Sequence, residues 1–333
     1  MTTDATMNPA NAMAFTFGDP EPVLEGYDIL DMAESWWTGE WYEPPVSLSG
    51  LAKSYRANPH HASAMQVKRN VLSSCFVPHQ MLSRTDFSAL ALDFLLFGNG
   101  WVTRVDNRLG RPVKVERLPA KYMRRGKDGR ACYAPDYYNR QWFEAGRAFQ
   151  LVEPDPNQEL YGLPEYIAAL QAAWLNEAAT LFRRKYYKNG SHAGFILYMT
   201  DALQDEAAIT NLKLAMQNSK GPGNFRNLLM YAPGGKKDGM QILPIADVSA
   251  KDEFFNIKNV SRDDVLAAHR VPPQLMGIIP NNTGGFGSIE AAAAVFARNE
   301  LEPLMERLRE INDWIGEEVI RFRPYQIKPD DAS

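Results

Sequence analysis

The sequence predicts an α+β fold, in which long amphipathic helices are separated by clusters of short strands. Three observations carry this. Apolar residues recur every three or four positions across Asn58–Ser74, Thr85–Phe97, Leu163–Lys188, Ser249–His269 and Ile289–Arg321. Trp101–Val152 and Phe195–Ile245 instead break into short β-rich runs bounded by Gly, Asn and Asp turn signals. The chain has 333 residues, 45% of them apolar and 23% charged, which is enough to bury a core and argues against wholesale disorder.

Residues 1–20, mostly Thr, Asn, Ala, Met and Asp without periodicity, read as a flexible tail. Residues 1–50 hold nine acids and no Lys or Arg, so the rest of the chain carries 36 basic against 31 acidic residues. A strongly acidic leading segment reads as a solvated or partner-binding arm. Trp36, Trp37, Trp41 and Tyr42 stand among those acids. Without cations to meet phosphate they do not make a nucleic-acid platform, and they point to packing against the body or a neighbouring subunit. The net charge of −4 argues against a protein that coats DNA.

Asn58-Pro59 opens a helix, because Pro suits the first helical position. Thr85 or Asp86 is expected to cap the apolar helix TDFSALALDFLLF, which Gly98-Asn99-Gly100 ends. WVTRVDN and VKVERLP read as two strands around a turn at Asn107–Gly110. Tyr122–Arg124, Ala131–Tyr133, Gln141–Glu144 and Ala148–Val152 extend this into a small antiparallel region. The basic residues between Arg104 and Arg130 read as a solvated sheet face.

Glu153–Asn157, rich in Pro and Asp, is the expected internal boundary. Beyond it, Leu163–Lys188 predicts a strut about 39 Å long at ~1.5 Å per residue. Pro164 and Glu165 suit its start, Arg183, Arg184, Lys185 and Lys188 its last turns, and Asn189-Gly190 its end. Phe195–Met199 (strand), Asp205–Ser219 (helix), Asn227–Tyr231 and Met240–Ile245 (strands) form a compact unit. Ser249 is expected to cap the next helix, to His269. Ile289–Arg321 reads as helical throughout, with Pro303 kinking or splitting it near Glu302.

Between those last two helices lies Val271–Ser288, VPPQLMGIIPNNTGGFGS, with three prolines and four glycines. Such a stretch is neither helix nor central strand, and it exceeds the roughly 4–6 residues usual for a loop in a compact domain. From Gly277 to Ser288 it carries no charge. Asn282–Ser288 ahead of a helix loosely resembles a phosphate cradle, but the Lys that reaches phosphate and the preceding buried strand are both missing.

No other catalytic constellation emerges: GxSxG, HExxH and GxxxxGK[ST] are absent. Cys75 and Cys132 have no zinc spacing and read as ordinary buried thiols. His60 and His61, being adjacent, face different sides of a helix and are not expected to share a metal. Asp201, Asp205, Glu206, Asp263 and Asp264 read as capping and dipole partners. The expectation is therefore no catalytic residue, no metal and no cofactor. No basic n-region leads an apolar run, and no window approaches ~18 unbroken apolar residues, so neither a signal peptide nor a membrane contact is expected.

Four stretches carry a resemblance: YGLPEYIAALQAAWLNEAATLFRRKYYKNGSHAGFILYMT, KGPGNFRNLLMYAPGGKKDG, KDEFFNIKNVSRDDVLAAHRVPPQLMGIIPNNTGGFG and FARNELEPLMERLREINDWIGEEVIRF. Together with FGDP and LLFGNGW, they resemble tailed-phage portal proteins of the PBSX type, over roughly half the chain. The resemblance implies a ring, usually of twelve subunits, at one capsid vertex. Double-stranded DNA is packaged and ejected through it, and it docks the terminase large subunit and later head-completion or tail connector proteins. Capsid and scaffold proteins are further implied partners, with assembly in the host cytoplasm and a final place in the virion.

The resemblance also implies a division of the chain. After the tail at 1–20, residues 21–154 would form a wing, 155–190 a first stem helix, 191–248 a clip and 249–270 a second stem helix. Residues 271–288 would form a tunnel loop, and 289–333 a C-terminal helical wing or crown segment with a tail. Gly277, Asn281, Asn282, Thr283, Gly284, Gly285, Phe286, Gly287 and Ser288 would line the channel. Neutrality suits a lining that meets DNA without gripping it, since a gripping surface carries Lys or Arg to displace counterions. The alternatives are a DNA-packaging enzyme, opposed by the missing phosphate loop and acid cluster, and a head or tail scaffold protein that never touches DNA.

Overall fold

The computed structural model describes residues 13–15, 35–136, 138–188, 195–199, 228–231, 240–244, 250–278 and 288–325. By contacts the chain divides into two units, one of residues 1–23 and 176–259, the other of 24–175 and 260–333. Along the chain, β1 (Met13–Phe15) precedes α1 (Leu48–Ser54), α2 (Pro59–Cys75), β2 (Phe76–Val77) and α3 (Arg84–Phe97). Strands β3 (Asn99–Asp106), β4 (Pro112–Leu118), β5 (Met123–Arg125), β6 (Ala131–Tyr133), β7 (Gln141–Trp142) and β8 (Ala148–Val152) follow. Then come α4 (Leu170–Lys188), β9 (Phe195–Met199), β10 (Leu228–Tyr231), β11 (Met240–Pro244) and α5 (Ala250–Ala268). Helices α6 (Ile289–Phe296) and α7 (Glu302–Ile315) and strand β12 (Arg321–Phe322) complete the order.

In the larger unit, side chains start α1, α2, α3 and α6 by accepting from free N–H groups. Asn58 Oδ1 accepts from the amides of His60 (2.8 Å) and His61 (3.2 Å) with Pro59 at the first helical position. The cap of α3 is Ser83, whose Oγ accepts from the Asp86 amide at 3.1 Å. Thr85 and Asp86, the caps expected from the sequence, lie inside the first turn instead. The expected antiparallel region is two three-stranded sheets, ordered β4-β3-β8 and β5-β6-β7.

The motif Gly98-Asn99-Gly100 does more than stop α3. Gly98 turns left-handed (φ 65°) and its carbonyl accepts from the Glu153 amide at 2.8 Å. A Cβ on Gly98 would meet the Leu163 carbonyl carbon at 2.5 Å, and one on Gly162 would meet the Gly98 oxygen at 2.0 Å. Buried Asn99 donates to the carbonyls of Phe97 and Gly162, each at 2.8 Å, and accepts from Gln150 Nε2 and the Gly162 amide, each at 2.9 Å. Its amide group is thereby saturated, as a buried polar group requires.

That fixed crossing shortens the expected strut. Tyr166 donates its hydroxyl to the Leu96 carbonyl at 2.6 Å, and Glu165–Ala169 form a 3-10 turn instead of α-helix. Regular helix begins at Leu170, so α4 is 19 residues, about 28 Å at ~1.5 Å each. Two large apolar clusters lie in the unit, beside a small one of Trp41, Cys132 and Ala134. Leu72, Phe87, Leu90, Phe94, Leu308 and Ile311 belong to one. Leu51, Met65, Trp101, Met123, Leu163 and Leu170 belong to the other.

The C-terminal helix is not continuous to Arg321. A wide π-turn, Ala297–Leu301, separates α6 from α7 immediately before Pro303. Pro303 has no N–H to return to the preceding turn and its ring crowds that turn, so the widened register accommodates it. Left-handed Gly316 (φ 77°) then ends α7. Asn312 Oδ1 accepts from the amides of Val319 (3.0 Å) and Ile320 (2.8 Å), reversing the chain into β12. There Phe322 pairs with Phe76 across an antiparallel ladder.

In the smaller unit the strand order is β1-β10-β9-β11. Residues 13–15, expected within a flexible tail, form β1 antiparallel to β10. Strands β9 and β10 are parallel, which requires a crossover. The expected helix Asp205–Ser219 and the expected cap Ser249 lie outside the described residues.

Candidate functional site

Of the twelve residues from Gly277 to Ser288, the structure describes Gly277, Ile278 and Ser288. Asn281, Asn282, Thr283, Gly284, Gly285, Phe286 and Gly287 lie outside the described residues. What the structure gives is the construction of the loop's two roots.

The first root begins where α5 ends. The Arg270 amide donates to Ala267 O (3.0 Å) and the Val271 amide to Leu266 O (3.2 Å). This is the crossed pattern that closes a helix through a left-handed residue, a position normally held by Gly. Here Arg270 holds it, at φ 53°. Left-handed backbone costs an L residue with a Cβ roughly 1–2 kcal/mol. The Arg270 guanidinium makes contacts that Gly lacks: Nη1 reaches Glu165 Oε2 at 2.7 Å and Glu300 Oε2 at 3.1 Å. Val271 and Leu266 are both buried in the same apolar cluster, as this closure favours.

Pro273–Met276 next form a 3-10 turn, closed by left-handed Gly277 (φ 70°). The Ile278 amide returns to Pro273 O at 3.1 Å, and Leu275, Met276 and Ile278 pack on the core. Gly277 thus serves as a turn closure. At the other root, Ser288 caps α6, its Oγ accepting from the Ala291 amide at 3.2 Å. The backbone of Gly277 and the side chain of Ser288 are therefore committed to fixing the ends of the loop.

A buried charged network lies against the first root. Glu300, carried by the π-turn, is 2% exposed and pairs with buried Lys68 as well as with Arg270. Glu153 pairs with Arg307, and burial pushes the Glu153 carboxyl upward against the pull of that guanidinium. Beside them His61 Nδ1 and His269 Nε2 are 2.9 Å apart, both rings buried and both in contact with the Tyr166 ring. Burial pushes His61 down to about 4. It pushes His269 well below the ordinary range, with Lys68 and then His61 adding to the effect. Both imidazoles are thus neutral near pH 7, one donating to the other.

The arrangement can hold a loop in place. Each buried charge is committed to a partner of opposite sign, and the histidines are committed to each other. Sequence reasoning placed His61 on a helix without finding its partner, since His269 is 208 positions away. It also missed Arg270, whose left-handed backbone has no signal in a residue type that seldom adopts it. Among the described residues no cluster of His, Cys, Asp and Glu is placed to hold a metal ion. Nor, among them, is any helix long and apolar enough to cross a membrane.

The sequence model of the family described as "Phage portal protein" matches residues 53–332. A protein of Escherichia phage P2, described as "Probable portal protein", is 55% identical over 319 residues, covering 96% of this chain and 93% of its own. One of the same description from Haemophilus phage HP1 is 38% identical over 278 residues, covering 81% and 80%. Among solved structures, the neck of a native gene transfer agent particle computed with C12 symmetry aligns at TM-score 0.59. It shares 19% identity and covers 84% of this chain and 85% of that one. An HK97-family phage portal protein from Corynebacterium diphtheriae aligns at TM-score 0.58 and 12% identity, covering 82% and 94%.

Proposed function

The chain belongs to the phage portal protein family, and from that premise we propose that its copies form a ring of about twelve, with residues 277–288 of each facing the axis along which double-stranded DNA passes. Support for the ring comes from the likeness in fold to a neck resolved with twelvefold symmetry. The lining role rests on a single observation: a stretch without charge is held at both ends by closures, caps and a buried ion network. Rigid roots with a neutral span suit a surface that touches DNA as it moves and does not retain it.

On this reading the protein is a structural part of the virion, at the capsid vertex, assembled in the host cytoplasm. Residues 21–154 and 289–333 are assigned to a wing and crown, 155–190 and 249–270 to the stem, and 191–248 to the clip. The terminase large subunit would dock during packaging, connector proteins afterwards, with capsid and scaffold proteins around the ring. The protein supplies a passage and no chemistry.

Electron microscopy of the purified full-length protein tests the ring. Particles with a central hole and about twelvefold symmetry are expected, and a monomer in all conditions would sink the reading. Lining is tested separately by a cysteine at Thr283 in assembled particles. A bulky thiol reagent should stop DNA passage while the ring persists, and unimpeded passage would place the loop away from the axis.

A further inference from the structure

The turn that joins β3 to β4 is rigid and presents an unusual surface. Asn107 Oδ1 accepts from the amides of Leu109 (2.9 Å) and Arg111 (3.1 Å), and its own amide donates to the Arg111 carbonyl at 2.8 Å. Gly110 takes the left-handed conformation (φ 75°). At the tip Leu109 is 84% exposed, with Val113 and Val105 at 48% and 40%. Val105 is paired across the strands with Lys114, and the register shifts beside it, leaving Val113 as the extra residue on β4. Strand β4 is an edge of its sheet.

The charges around the tip are of two kinds. Arg104 and Arg147 both pair with Asp106, and Lys114 pairs with Glu116. Arg108 and Arg111, on either side of Leu109 and Gly110, make no ion pair among the described residues. Scattered exposed apolar residues are ordinary on a protein surface. Three of them at one end of a two-stranded ribbon, between two uncommitted guanidiniums on a fixed turn, suit a partner that is both apolar and acidic. Phosphate would use the arginines but gains nothing from Leu109 at the most projecting position.

The same chain contains such a partner. Residues Asp19–Glu34 hold six acids and no Lys or Arg, interleaved with Val23, Leu24, Tyr27, Ile29, Leu30 and Met32. Tip and segment are different surfaces of one chain, so their complementarity between copies is head-to-tail, the kind of contact that repeats into a closed ring. We propose that the Arg108–Leu109–Arg111 tip of one copy docks on the Asp19–Glu34 segment of its neighbour. This rests on the ring reading above and specifies one of the contacts that would close it.

Site-directed disulfide capture tests it with the full chain. One tagged population carries Leu109→Cys and a second, of different tag, carries Ile29→Cys; the native thiols Cys75 and Cys132 are both buried. Co-expressed and oxidised, they should give a disulfide between the two tags. Adding Arg108→Glu and Arg111→Glu should cut its yield several-fold, and adding Asp28→Arg and Asp31→Arg to the second population should restore it. Native mass measurement counts the copies independently. A cross-link between tags supports the docking whatever that count. No cross-link between the two tags in an assembled ring overturns the docking and leaves the ring standing. Loss of DNA binding in the double-Glu variant with unchanged cross-linking overturns it in favour of nucleic acid.

Discussion

Arg270 and Glu300 are ion-paired at 3.1 Å, one just before the 277–288 stretch and the other twelve residues past its end. The loop is therefore bracketed by a contact between its own flanks. Glu300 is almost wholly buried, whereas Arg270 is about half exposed, so the two halves of the pair are unequal. Lys68, buried with Glu300, is the partner that depends on that carboxylate most.

Removing Glu300 should therefore cost more than removing Arg270. Glu300→Gln leaves the Lys68 ammonium buried against a neutral amide, and a broken buried pair typically costs about 3–5 kcal/mol. Arg270→Ala removes a half-exposed partner while Glu300 keeps Lys68, so a loss nearer ~1 kcal/mol is expected. Urea unfolding midpoints rank the two variants, and equal losses would show that the burial difference does not govern the network.

Arg270→Gly tests the strained closure by itself. Gly and Ala both forfeit the guanidinium contacts, but Gly adopts a left-handed backbone freely. The Gly variant should be more stable than the Ala variant by about 1 kcal/mol. No difference between them would mean that the backbone at φ 53° stores no strain.

Acid should weaken the larger unit through His61 and His269. Their folded pKa values lie below the unfolded value near 6.5, so as pH falls the unfolded chain takes up protons first and stability drops. For His61 the loss runs from about pH 6.5 to about 4, and it amounts to roughly 3 kcal/mol at the lower end. Glu153 acts in the opposite sense, since its raised pKa makes protonation favour the folded state. His61→Gln should flatten the dependence between pH 6.5 and 4, as read from unfolding midpoints at several pH values. Parallel profiles for the variant and the parent would remove the histidine pair from the account.

At the Gly98–Gly162 crossing there is no room for a methyl group. Gly162→Ala places a carbon 2.0 Å from the Gly98 oxygen and 2.5 Å from the Glu153 nitrogen, both backbone atoms that cannot swing aside. A loss of several kcal/mol or failure to fold is expected. The control is Gly110→Ala, which is left-handed (φ 75°) but has nothing within 4 Å, and which should cost only about 1 kcal/mol. Soluble yield and melting temperature separate the two.

In the loop, Gly284→Ala with Gly285→Ala should stiffen the chain, because each glycine gives up backbone freedom. Packaging of DNA should fall while ring assembly survives, measured by particle yield and by DNA content per particle. Loss of assembly instead would give the loop a structural role in joining subunits.

Much of this architecture was legible in the sequence, because helical and strand periodicities are local. Asn58-Pro59, Gly98 and Asn107–Gly110 mark turns and ends that the structure places where the residue types indicated. The failures share a cause. The 3-10 turn at Glu165–Ala169 follows from Tyr166 reaching Leu96, and the early end of α7 follows from Gly316, past which the apolar repeat runs on to Val319. The π-turn was visible only as a proline, and the inward path of Glu300 that it creates was not. Contacts such as His61 with His269 join residues too far apart for any local pattern to announce them.

The ladder between Phe76 and Phe322 has a consequence for how the protein is made. Phe76 and Phe87 stack at 4.1 Å, and Phe322 meets both rings edge-on. A ribosome delivers Phe322 long after its partners, so that cluster must wait, incomplete, through most of translation. Pairings of such high sequence separation are slow to form and leave apolar surface open meanwhile. The nascent chain should consequently engage chaperones until β12 emerges, and newly made subunits should become competent to assemble only after release.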